Sequence, residues 1–115
     1  EQVSLQILDK LDRKLPGYES ISGRYAAYFL GYISQNRKDL PKAKAYFAEC
    51  VAFAKQTNEE NSGYAIHSYL NLARISHQEK DIKQAKIYYN LVKDLADDKA
   101  SQKEAKDYLK KYRKV

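Results

Sequence analysis

The sequence predicts an all-α fold of antiparallel helix pairs with about six helices, and three observations point to it. Turn residues are scarce, with only two prolines and four glycines in 115 residues, too few for the tight connections of a many-stranded sheet. Apolar residues recur at three- and four-residue spacing, the signature of one helix face. The third observation is that the chain repeats itself.

Shifted by 42 residues, the sequence aligns Leu30 with Leu72, Ile33 with Ile75, Ser34 with Ser76, Lys38 with Lys80, Asp39 with Asp81, Ala43 with Ala85, Tyr46 with Tyr88 and Ala54 with Ala96. Similar pairs fall in the same register: Gly31 with Ala73, Phe47 with Tyr89, Cys50 with Val92. A fixed period of this size marks stacked supersecondary units. Within one unit, Ala27, Leu30, Gly31 and Ser34 form a helical stripe, as do Ala43, Phe47, Cys50 and Ala54. Each unit is therefore two helices.

In chain order the helices are expected at about 1 to 15, 19 to 37, 40 to 57, 60 to 79, 82 to 97 and 101 to 113. The first follows from Leu5 and Leu8, which fall under Phe47 and Cys50 at the same shift; it reads as the second helix of a truncated preceding unit, stopped by Pro16-Gly17. Asp39 and Asp81 are placed to accept the free N–H groups at the start of the helices that follow them. Pro41 falls in a first helical turn, where no hydrogen bond is lost. Ser101 and Glu104 have the spacing of a capping box, and Ala105, Tyr108, Leu109 and Tyr112 form one apolar stripe of a last helix. The whole reads as a single domain, 1–115: 1–17 a half-unit, 19–57 and 60–97 complete units, 100–115 a capping helix.

Composition excludes several classes. No apolar run reaches the ~20 residues of a membrane-spanning helix. The single Cys50 makes no internal disulfide and assigns no compartment. The chain contains no methionine, so Glu1 is expected to be a processed end or a cut from a longer chain. The net charge of +6 is concentrated in residues 100–115, where Lys103, Lys106, Lys110, Lys111, Arg113 and Lys114 stand against Glu104 and Asp107. Tyr108 and Tyr112 share the apolar stripe of that segment and the lysines take its other faces, as in an ordinary solvated helix. Nucleic-acid binding through this tail is the weaker alternative.

Leu30-Gly31, Ala43, Phe47 and Cys50, followed by Leu72-Ala73, Ala85, Tyr89 and Val92, resemble the tetratricopeptide repeat over residues 20 to 97. The unit departs from the family pattern at Ala27, Ser34, Ser76 and Gln56. Its 42-residue period exceeds the usual ~34 and is similar to the longer repeats of kinesin light chains and some bacterial peptide-responsive regulators. The resemblance implies small residues that let paired helices approach and an aromatic that fills the gap to the neighbouring unit. It also implies a right-handed α-α superhelix with a concave groove, lined by the first helix of each unit, that binds protein or peptide segments.

Carried onto this chain, the groove face comprises Tyr25, Tyr28, Tyr32, Gln35 and Asn36 in one unit and His67, Leu70, Asn71, Arg74, His77 and Gln78 in the next. Tyrosine suits such a wall, being a large rigid contact surface with a hydroxyl for a peptide backbone. The other reading of the three tyrosines, as packing against the preceding unit or one another, stays open at this point. Phe29 and Ile33 lie off the stripe and are expected to pack on helix 1 to 15. A clamp for a partner's C-terminal carboxylate matches at Asn71, and at Lys103 if the last helix is a third first helix, but Tyr28, Tyr32 and Asp107 replace its other members.

His67 and His77 are ten residues apart, about 15 Å along one helix, too far to share a metal ion. No nucleophile has a base at activating spacing and no phosphate loop is present. The chain is read as a non-enzymatic protein- or peptide-binding scaffold or adaptor without a cofactor. The alternatives are a self-associating spacer or a sensor domain of a larger protein, with a homo-oligomer or further repeats extending the short groove.

Overall fold

The computed structural model describes residues 21–114, with side chains from Ala27 onward. These residues form five helices: α1 (Ile21–Asn36), α2 (Leu40–Gln56), α3 (Gly63–Gln78), α4 (Ile82–Leu95) and α5 (Lys99–Lys111). Each packs antiparallel on the next, the array of helix pairs that the repeat implies. The helix expected over 1 to 15 and its Pro16-Gly17 stop lie outside the described residues.

The turns inside the two pairs are copies of one another. Lys38 and Lys80, one repeat apart, both adopt φ 64°, the left-handed conformation that closes a helix. Asp39 N–H then donates to the Ser34 carbonyl at 2.9 Å, and Asp81 N–H to the Ser76 carbonyl at 2.8 Å. The same aspartates turn round to cap the next helix: Oδ1 of Asp39 accepts from the Lys42 amide at 3.2 Å, and Oδ1 of Asp81 from the Gln84 amide at 3.1 Å. A three-residue connection thus satisfies both the last carbonyls of one helix and the first amides of the next.

Asn58, at φ 57°, ends α2 by the same device, with Glu59 N–H donating to the Ala54 carbonyl at 2.8 Å. Ser62 caps α3, its hydroxyl accepting from the Ala65 amide at 3.4 Å. At α5 the structure corrects the capping box. The N-cap is Asp98, whose carboxylate accepts the Ser101 amide at 2.9 Å. Ser101 is therefore inside the first turn and buried, and Glu104 turns to α3 and α4 instead.

The two pairs start 42 residues apart, α1 to α3 and α2 to α4, whereas α5 begins only 36 residues after α3. In the first pair α2 runs for 17 residues and is followed by a connection over 57–62; in the second, α4 stops after 14 and only 96–98 intervene. The excess length lies in the last turn of α2 and its exit loop.

The largest cluster of buried side chains is centred on α3, which contributes Ile66, Tyr69, Leu70, Leu72 and Ile75 and meets Phe47 and Val51 of α2 and Tyr89 and Val92 of α4. Smaller clusters join α1 to α2: Leu30 and Ile33 with Tyr46, and Ala27 with Cys50 and Phe53. Ile33 thus packs within its own pair. Phe47 explains the small residue at position 31, because a Cβ on Gly31 would lie 2.8 Å from its ring carbons. The glycine lets α1 and α2 close on a fully buried ring.

Candidate functional site

α1, α3 and α5 stand side by side, joined by side chains that reach from one to the next. The Tyr28 and Tyr64 rings link α1 to α3 with centroids 6.0 Å apart. Arg74 links α3 to α5 by a two-pronged ion pair, Nε to Oε2 of Glu104 at 2.9 Å and Nη2 to Oε1 at 2.6 Å. The three helices make one layer, α2 and α4 the other. The residues expected on the groove face lie on α1 and α3, and the structure sorts them by accessibility.

Tyr32 is exposed, at 48% of its full surface, while Asn36 is also exposed and Gln35 half-buried. Tyr28 is half-buried with its ring among Phe29, Phe47 and Tyr64, at 6.0 to 6.1 Å, and burial raises the pKa of its phenol. It is as much a packing residue as a surface one. Tyr25 lies on α1, but its side chain lies outside the described residues. On α3, His67, Arg74, His77 and Gln78 are exposed.

Two expected members are not on the surface. Leu70 is 2% exposed and belongs to the main core. Asn71 is 7% exposed, and its amide donates to the His67 carbonyl at 2.8 Å. Both follow from the position of α3 between α2, α4 and α5, which buries most of its circumference. The carboxylate-clamp match at Asn71 is thereby removed. Lys103, its suggested companion, is paired with Asp107 at 2.7 Å on the outer face of α5.

What the sequence reading missed is the share of α5 in this layer. The Glu104 carboxylate takes both Arg74 contacts and, at 2.8 Å, the Tyr89 hydroxyl of α4. The Arg74 guanidinium holds its pKa below the usual carboxylate range, against the opposing effect of burial. Burial pushes the Tyr89 phenol well above its ordinary pKa, reinforced by Glu104. One turn on, the Tyr108 hydroxyl is 3.0 Å from Nδ1 of His77. Its ring stacks between Tyr89 at 4.4 Å and Tyr112 at 4.5 Å. Together Arg74, His77 and Gln78, with Tyr89, the α5 residues Tyr108 and Lys111 and the following Tyr112, bound an open cleft of about 380 Å³. The available signal was the run Glu104, Tyr108, Tyr112 at four-residue spacing opposite Arg74 and His77.

Residues 66–99 match the tetratricopeptide repeat. The match runs from the first turn of α3 through α4 to the first residue of α5, so it falls on the pair whose spacing is close to the usual ~34 residues. A repeat of this kind marks a protein-interaction module, typically non-catalytic. No curated protein and no solved structure matches the chain. Among the described residues there is no group of three or more His, Cys, Asp or Glu side chains that could hold a metal ion, and no helix long and apolar enough to cross a membrane.

Proposed function

We propose that the layer of α1, α3 and α5 binds a peptide segment of a partner protein, with Tyr32, Gln35, Asn36, His67, Arg74, His77 and Gln78 as the accessible wall and Tyr28 supporting it. The observation that carries this reading is Tyr32. It is a large aromatic exposed on the first-helix layer, one residue past Gly31, against which Phe47 packs, and thus on a stiff base. Among the described residues most other rings are half-buried or buried, and the other exposed large apolar side chain, Ile87 at 51%, lies on α4 in the opposite layer. A rigid ring with a hydroxyl contributes contact area at little entropic cost, which is why tyrosine recurs at binding hot spots.

The test is a selection of binding peptides from a random display library on the intact domain, followed by titration against variants. Tyr32→Ala is expected to weaken the selected peptides by about tenfold, the effect of losing about 1.4 kcal/mol, and Ile87→Ser to leave them unchanged. A selection that depends on Ile87 and not on Tyr32 would place binding on the other layer.

A further inference from the structure

We propose that the cleft between α3 and α5 is a subsite for an acidic side chain, an Asp or Glu of the docked segment, with Lys111 as its charge partner. This deepens the peptide-binding reading and rests on it. The argument is an account of which groups are already occupied. Both oxygens of Glu104 are taken, by the two nitrogens of Arg74 and by the Tyr89 hydroxyl, so the carboxylate beside the cleft is neutralised and does not line it. No Asp or Glu does.

The groups that remain available are mainly donors. The Lys111 ammonium sits 5.5 Å from the centre of the Tyr112 ring, a contact that steadies a cation without neutralising it. It makes no ion pair among the described residues. Gln78 and Arg74 border the same space, and the Arg74 contacts to Glu104 use Nε and Nη2. The stacked rings of Tyr108 and Tyr112, with centroids 4.5 Å apart, form one wall. At about 380 Å³ the cleft is within the size range of small-ligand sites. Such a site favours one negative charge on a short stem and disfavours a lysine or arginine.

Lys111 also differs from its neighbours. Lys99, Lys103, Lys106 and Lys110 follow one another at four- and three-residue spacing on the solvent face of α5, pointing away from the side of Glu104 and Tyr108. A general attraction between a basic helix and acidic peptides would use them; a subsite would not.

The experiment is the same library selection, run on the wild-type domain, Lys111→Glu and Lys110→Glu in parallel. The wild type and Lys110→Glu are expected to enrich peptides with Asp or Glu at one position, and Lys111→Glu to lose that preference or exchange it for Lys or Arg. Changing that acid to its amide in a selected peptide is expected to weaken wild-type binding about two- to fivefold, the range for a partly exposed ion pair. Selected peptides with no acidic position, or an acidic preference that falls equally in both variants, would overturn the subsite while leaving the peptide-binding reading intact. A selection that enriches nothing would overturn both. Helical circular dichroism of the two variants, whose altered side chains are exposed, is expected to match the wild type.

Discussion

The two helix pairs have the same turns and different interiors. In the first, Gly31 lets Phe47 close directly on α1, and α1 is held by two small clusters. In the second, Ala73 and Tyr89 take those positions, α3 is enclosed by the main core, and the Tyr89 hydroxyl is tied to Glu104 of α5. The first pair therefore relies on ring-to-backbone fit and leaves Tyr32 exposed. The second adds a polar brace that occupies the equivalent residue, Arg74, with a partner from α5. One repeat plan supports either an exposed aromatic, Tyr32, or at the equivalent position a cation, Arg74, paired with a carboxylate of the neighbouring helix.

The comparison breaks most severely at Phe47. Phe47→Ala removes a fully buried ring that also fills the space over Gly31, and is expected to cost about 3–5 kcal/mol. Chemical denaturation would read it as a fall in midpoint at unchanged cooperativity. Glu104→Gln cuts the brace of the second pair and is expected to cost about 1–2 kcal/mol, less than a fully buried charge contact because both partners are partly solvated.

That variant also has a pH signature. The Glu104 pKa is lower folded than unfolded, so its contribution is present above the ordinary glutamate value of about 4.3 and is lost as pH falls through the folded value. Wild-type stability is expected to decline in that acid range, and Glu104→Gln to decline less. Tyr89 and Tyr69 act at the other end. Burial raises both, so their contribution is present below the ordinary phenol value of about 10 and is lost as pH rises beyond it.

A smaller effect is expected at Gly31→Ala. The new methyl would meet the Phe47 ring at 2.8 Å, and this crowding of about 1–3 kcal/mol outweighs the ~1 kcal/mol helix-propensity gain of alanine. The net is a destabilisation of about 1 kcal/mol. The smallest change has the opposite sign. Lys38→Gly and Lys80→Gly relieve a left-handed backbone at φ 64°, and each is expected to stabilise by up to about 1 kcal/mol. Equal gains in thermal melts would show that the two turns remain equivalent where the interiors differ.

Much of this was legible in the residues. Helical spacing within one unit singled out the stripes Ala27, Leu30, Gly31, Ser34 and Ala43, Phe47, Cys50, Ala54, and every one of these is buried. Asp39 and Asp81 were recognisable as caps because a short acidic side chain between two helical stripes has little else to do. The start of α5 was not legible, since Asp98-x-x-Ser101 and Ser101-x-x-Glu104 overlap and both have the spacing of a cap. The choice falls on Asp98 because Glu104 has a stronger partner in Arg74, thirty residues away, and no local pattern encodes that. Leu70 and Asn71 were misplaced for a similar reason. A helix-face argument assumes one open side, and α3 is enclosed on most of its circumference.

The proposed binding layer is tested most directly by mapping backbone amide shifts while a library-selected peptide is titrated into the domain. The expected result is a continuous set of shifts on Tyr32, Gln35, Asn36, His67, His77 and Gln78, extending to Tyr108 and Lys111 of α5. Shifts concentrated around Ile87 and the outer face of α4, with the α1 and α3 residues unmoved, would contradict it.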